Sequence, residues 1–305
     1  MSSSGTTGGA KGKVSPPMSS GWFTIPAPLA RLFKKFPLLT YPPNELPARS
    51  PDIRDIPTLY VFISDEDALK GLPSFNPSCL KWQTFLKLSG IDFRVRSSNN
   101  HASPTGALPF LLPPSPPPSG NHQPPIASNK LEQYAQDHGT IKKEADVNPR
   151  LDAYESLLDH RIRNAWLYTL YLSPSNTALL SRLYVEPATA SRLVRATLLY
   201  QLKSAAESQI VRSTGRQAID PGVLYREARE AFGALETLLG DEDEWFFGAE
   251  TPGLFDAHVF SYTYLILNDG GLAWENKRLG DILRMFPRLV AHRERIFRRC
   301  WGFDD

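Results

Sequence analysis

Only two cysteines, Cys79 and Cys300, occur in the 305 residues. They are too few for a disulfide framework and lack the paired spacing of a zinc site, which points to a reducing compartment. An excess of one charge is also missing: 34 Lys and Arg stand against 32 Asp and Glu, a net charge of +2. The chain therefore carries no overall electrostatic footprint for nucleic acid. Long hydrophobic runs are absent too. A membrane-spanning helix needs ~20 apolar residues, and the best candidate, 254–267, is short and contains Asp256 and His258. The reading is of a chain that does not cross a bilayer by itself. The N-terminus has no apolar core of a secretory signal. Acids are missing before Glu45, while Lys11, Lys13, Arg31, Lys34 and Lys35 are basic. That composition is similar to a mitochondrial transit peptide, yet prolines at 16, 17, 26, 28 and 37 break the amphipathic helix such a peptide requires. A retained, partly disordered arm is the favoured reading over cleavable import.

What is present is 41% hydrophobic residues, enough for a substantial core. Residues 1–21 are rich in Ser, Gly and Thr and read as a disordered tail. The arm 22–55 holds PLARLFKKF, in which Leu29, Leu32, Phe33 and Phe36 recur at helical spacing behind Pro28. A helix this short is unstable alone, being below ~12 residues, so its stripe must dock on something. Together with Trp22 and Phe23 these residues are candidate partner-docking positions, on the chain's own body, on another protein or on an anionic membrane surface.

Residues 56–140 alternate strand and helix signals. TLYVFIS reads as a strand, followed by an acidic, Gly/Pro-containing loop to Pro73. In NPSCLKWQTFLKLSG, Asn76 suits the N-cap, Pro77 the first turn and Gly90 the stop. IDFRVRS (91–97), ALPFLLPP and PIAS read as further strands, and SNKLEQYAQDHG as a closing helix. This order is that of a thioredoxin-like domain. The segment 113–125, with seven prolines, interrupts the last strand pair as an exposed insertion. From 146 to 305 everything reads as helix: 147–172 with Val147, Leu151, Tyr154, Leu158, Ile162 and Trp166 on one face, then about 188–213, then 220–240 between Asp220-Pro221 and Gly240, a nearly all-apolar helix near 254–267, and an Arg-rich last helix.

A thioredoxin-like domain followed by an all-helical domain resembles the glutathione transferases. By that resemblance the Leu108-Pro109 bond before ALPFLL is cis, and PGLFDAHVF is the start of the core helix with Asp256 as its capping acid; Pro109 and Asp256 are thus fold-defining. The usual Ser/Thr cap is Gly253 here. Five blocks, LPSFNPSCLKWQTFLKLSGIDFRV, SPTGALPFLL, AYESLLDHRIRNAWLYTLYL, WFFGAETPGLFDAHVFSY and FPRLVAHRERIF, more narrowly resemble the metaxins and their fungal relatives. The resemblance implies a non-enzymatic, smaller subunit of the mitochondrial sorting and assembly machinery, peripheral to the outer membrane on its cytosolic side. Its partners would be the barrel subunit, a second, larger metaxin-like subunit and unfolded β-barrel precursors, with contact to the membrane surface also open.

The competing reading is a soluble glutathione or thiol transferase using Cys79, since a thiol in the first turn of a helix feels unpaired N–H groups. Against it, position 76 is Asn, so Cys-x-x-Cys is absent, and an apolar, helix-spaced Cys is commonly a small core residue. Ser64, placed where a transferase hydroxyl would sit, is followed by three acids, and Ser128-Asn129-Lys130 lacks the acid that holds the glutathione amine. The residues therefore nominate no catalytic, cofactor-binding or metal site. The six histidines are scattered without metal spacing, and each reads as structural or solvent-facing. The arginines at 288, 293, 295, 298 and 299 read as a solvated face laced by Asp281 and Glu294.

Overall fold

A computed structural model describes residues 56–114, 124–140, 149–240 and 244–302. The candidate docking residues Trp22, Phe23, Leu29, Leu32, Phe33 and Phe36, and most of the Pro-rich insertion, lie outside them. TLYVFIS forms β1 (Thr58–Val61), with Leu59 and Val61 fully buried. The next residues are helical rather than a loop: α1 (Asp65–Leu69) starts at Ser64, whose Oγ accepts the Asp67 N–H at 3.1 Å. A hydroxyl cap followed by three acids in the first turn suits a helix N-terminus, which outweighs the loop signal of Gly71 and Pro73.

The helix after it, α2 (Pro77–Leu88), is built as its sequence demands. Asn76 Oδ1 accepts the Cys79 N–H at 3.2 Å, Pro77 opens the first turn, and Leu80, Phe85 and Leu86 are buried. Gly90, at φ +70°, ends it in the left-handed region that glycine favours. The expected strand at 91–97 is shorter, β2 (Arg94–Ser97), because Ile91 still donates its N–H to Leu86 O at 3.1 Å as α2 unwinds. β3 (Phe110–Leu112) follows the cis Leu108-Pro109 peptide, and β4 (Ile126–Ala127) pairs with it. The sheet order is β2-β1-β3-β4, with β1 and β2 parallel and the other pairs antiparallel. Tyr60 stands opposite Phe110, and their rings stack at 4.6 Å. The closing helix α3 (Leu131–His138) reaches Gly139, where a Cβ would meet the Ser89 carbonyl at 2.7 Å, so the end of α3 lies hard against the end of α2.

The second half is helical. The stretch 151–172, here α4, buries Leu158, Ile162 and Trp166, while Leu151 and Tyr154 are half-buried; Val147 lies outside the described residues. It alternates α-helical Leu151–Ser156 and Arg163–Leu167 with π-helical Leu157–Ile162 and Tyr168–Leu172. Such wide turns re-aim the face that a strict 3.6-residue period implies. A further helical piece, 177–185 (α5), lies between the expected helices 147–172 and 188–213. Asn176 holds it in place: its Nδ2 donates to Thr169 O at 2.9 Å, and its Oδ1 accepts the N–H groups of Glu275 and Asn276, each at 3.1 Å. Replacing this buried residue by Ala orphans three backbone groups. At about 1–3 kcal/mol each, partly recovered by water, Asn176→Ala is expected to lower the unfolding free energy by about 3 kcal/mol, measurable in urea.

α6 (Arg192–Thr214) ends at Gly215, φ +66°, and α7 (Pro221–Leu239) runs from Asp220, whose Oδ1 accepts the Gly222 N–H at 2.8 Å. On α7, Glu227 receives Arg161 at 3.0 Å and Arg216 at 2.7 Å, tying it to α4 and to the turn after α6. α8 (Leu254–Leu267) is buried on nearly every side and packs chiefly on α2, joining the sheet half to the helical half. After α9 (Asp269–Leu272) and α10 (Arg278–Leu283), α11 (Pro287–Trp301) packs on α7 and α8. Its arginines are less simply solvated than their sequence suggests. Arg293 pairs with Glu294 and lies over the Tyr264 ring, Arg295 donates to Glu244 O and lies over Trp245, and Asp281 pairs with Arg284 rather than with α11.

Candidate functional site

Where the first turn of α2 faces α4 and α8, the chain leaves a cleft of about 230 Å³. Asn76, Pro77, Ser78, Lys81 and Trp82 form one wall, Asp159, Arg163, Trp166 and Tyr171 of α4 a second, and His258 and Tyr262 of α8 the third. Helical spacing explains the set: Ser78, Lys81 and Trp82 share one face of α2, Asp159 and Arg163 are four apart on α4, and His258 and Tyr262 are four apart on α8.

Lys81 Nζ lies 3.4 Å from His258 Nδ1, and His258 Nε2 lies 3.7 Å from Asp159 Oδ1. His258 is buried, and burial, then Lys81 and then Arg163, hold its pKa well below the ordinary histidine value. The neutral ring accepts from Lys81 at Nδ1 and carries its proton on Nε2, toward Asp159. Burial also lowers the Lys81 pKa, against the opposing pull of Glu155 and Asp159, and raises the hydroxyls of Tyr171 and Tyr262. Arg163, half-buried in the wall, makes no hydrogen bond or ion pair among the described residues. The cleft is thus lined by four aromatic rings, two cations, Lys81 and Arg163, and one acid, Asp159.

The His258 environment has a consequence for stability. Its folded pKa is below its unfolded one, so the unfolded state binds the proton first and stability falls as pH drops below about 6.5 toward the folded value. The thermal midpoint is expected to fall between pH 7.5 and 5.5, and His258→Asn to flatten that fall; an unchanged slope in the variant would contradict this account.

Of the positions weighed from sequence for transferase chemistry, Asn76 lines the cleft, whereas Cys79, Ser64 and residues 128–130 do not. Cys79 is fully buried, and its thiol is pushed up to about 12 by burial, with contacts to the Phe62 backbone and Ser74 opposing weakly. The dipole of α2 does not overcome that desolvation. The Ser64 hydroxyl donates to Asp67 Oδ2 at 2.6 Å as part of the α1 cap. Ser128 and Asn129 open a 3₁₀ turn, Ser128–Lys130, before α3. Asp256 does what its place in the core helix demands: Oδ2 accepts the Gly253 N–H at 2.9 Å, while Oδ1 accepts the Phe246 N–H at 3.1 Å and His292 Nε2–H at 2.8 Å. His258 and His292 are both buried and bonded, whereas His101, His138 and His160 are exposed. Sequence reading passed over Lys81, Asp159 and Arg163 because their meeting depends on contacts between distant helices. Charges on the otherwise apolar faces of α2 and α4 were the available signal.

A model described as glutathione S-transferase N-terminal domain matches residues 77–176, and one described as glutathione S-transferase, C-terminal domain matches residues 228–296. Metaxin-1 of Homo sapiens is 28% identical over 204 residues, covering 65% of this chain and 42% of the human protein. Metaxin-1 of Macaca fascicularis matches at 28% over 65% of this chain and 62% of its own length, so the chain spans less than two thirds of both relatives. The solved glutaredoxin 2 of Salmonella typhimurium in complex with glutathione is 16% identical, with 80% of this chain and 94% of that one covered at a TM-score of 0.46, a likeness without weight for the chemistry of this cleft. With its four-stranded sheet half, its helical half and these sequence relations, the chain is a metaxin-like protein of the glutathione-transferase fold.

Proposed function

We propose that this chain is a non-catalytic subunit of the mitochondrial sorting and assembly machinery, held peripherally on the cytosolic face of the outer membrane. There it assists the recognition and insertion of unfolded β-barrel precursors and stabilises the barrel subunit beside a larger metaxin-like subunit. The observation that carries the reading is the pairing of metaxin likeness with a Cys79 thiol that is fully buried and held protonated, unsuited to act as a nucleophile. Among the described residues no helix is long and apolar enough to cross a membrane, which is compatible with a peripheral attachment.

Two surfaces would make the attachment. The arm stripe Leu29, Leu32, Phe33 and Phe36, with Trp22 and Phe23, is the proposed protein-docking segment. The first half of α6 is the proposed lipid contact: residues 192–205 hold no buried residue, and Leu193 and Tyr200 are 79% and 73% exposed. From 187 to 206 the chain has Arg192, Arg195 and Lys203 and no acid, the composition that suits an anionic surface. Leu193→Asp with Tyr200→Asp is expected to reduce flotation with anionic vesicles several-fold while leaving the fold intact; unchanged flotation would remove the lipid assignment. For the function as a whole, protease treatment of intact mitochondria should digest the protein, and an immobilised glutathione column should not retain it. Retention, with turnover of a generic electrophile lost in Cys79→Ala, would replace this reading with an enzyme.

A further inference from the structure

We infer that the cleft between α2, α4 and α8 is a binding site for a carboxylate carried on an apolar or aromatic body, with Arg163 as its anchor. The cleft's chemistry is independent of any role in assembly. Arg163 has no carboxylate or carbonyl partner among the described residues, which is uncommon for a half-buried guanidinium, because its planar fork is built for two parallel hydrogen bonds. Arg163 lines a cleft of about 230 Å³, room for a ligand of side-chain size, with Trp82, Trp166, Tyr171 and Tyr262 as further lining. Lys81 adds a second cation, and the N-terminal end of α2, a twelve-residue helix, lines the cleft with Ser78 and contributes a favourable dipole. Asp159 also lines the cleft, with Oδ1 3.7 Å from His258 Nε2, and its charge disfavours a second anion beside the one held at Arg163.

Cations and aromatic walls in one cleft select for an acid with an apolar body, and two sources share that chemistry: a small aromatic acid, or the C-terminal residue of another chain. The full-length protein should be titrated with N-acetylphenylalanine, its C-terminal amide, phenylacetate and glutathione, read by quenching of tryptophan fluorescence and by calorimetry. N-acetylphenylalanine is expected to bind saturably and at least tenfold more tightly than the amide. Arg163→Met should abolish that preference with an unchanged thermal midpoint, and Lys81→Met should weaken it. Phenylacetate binding as tightly as N-acetylphenylalanine would mark a free acid as the ligand; much weaker binding would mark a chain terminus. Equal affinity for acid and amide, no saturable binding by either acid, wild-type binding in Arg163→Met, or tighter binding of glutathione than of N-acetylphenylalanine would each overturn the inference.

Discussion

Asp256→Ala should lower the stability of the protein by about 3–5 kcal/mol, the range for removing one partner of a buried, hydrogen-bonded charge. Both Asp256 and His292 are buried, at 2% and 0% exposure. The carboxylate serves three donors: the Gly253 N–H at the start of α8, the Phe246 N–H in the preceding turn, and His292 Nε2–H from α11. With Ala, all three donors are left in apolar surroundings, and His292 Nδ1 already has no partner among the described residues. At about 2–4 °C per kcal/mol for a domain of this size, the thermal midpoint should fall by roughly 6–20 °C. Asp256→Asn keeps the shape and one acceptor and should cost less. Because the pair acts as a unit, Asp256→Ala and His292→Ala should be non-additive in the double variant. A loss below 1 kcal/mol in urea unfolding would show that the α8 cap and its link to α11 are not what holds the helical half together.

Alkylation of Cys79 by iodoacetamide at pH 8 should be about a thousandfold slower in the folded protein than in urea. The thiolate is the reacting species, and the thiol is pushed from 9.0 up to about 12, so the thiolate fraction falls by three decades. Complete exclusion from solvent slows the reaction further. Cys300 is also raised to about 12 by burial, so the label is best located by mass spectrometry of the Cys79 peptide. Folded and unfolded rates within tenfold of one another would return Cys79 to the list of nucleophiles.

Much of the fold was legible because its signals are local. Asn76-Pro77 and Asp220-Pro221 mark helix starts through caps that need only neighbouring residues, and Gly90 and Gly240 mark stops through positive φ. α1 and α5 were passed over where polar, Pro- or Gly-containing stretches were stabilised by one cap at Ser64 and by a distant anchor at Asn176. The π turns of α4 were illegible for a related reason: tertiary packing, with α7 against the first and α6 against the second, sets which face is buried. The site was the least legible part. Cys79 attracted notice as a chemical residue type, but its burial is a property of the packed core. Lys81, Arg163 and His258 looked like ordinary helix residues until α2, α4 and α8 came together.

Purification of the tagged protein from mitochondria in mild detergent, with identification of what accompanies it, tests the central claim most directly. The account predicts stable recovery of the β-barrel subunit and a larger metaxin-like subunit, weakened by Leu32→Asp with Phe33→Asp while the globular body stays folded. Recovery of the wild-type protein alone, or from the sealed matrix, would contradict it.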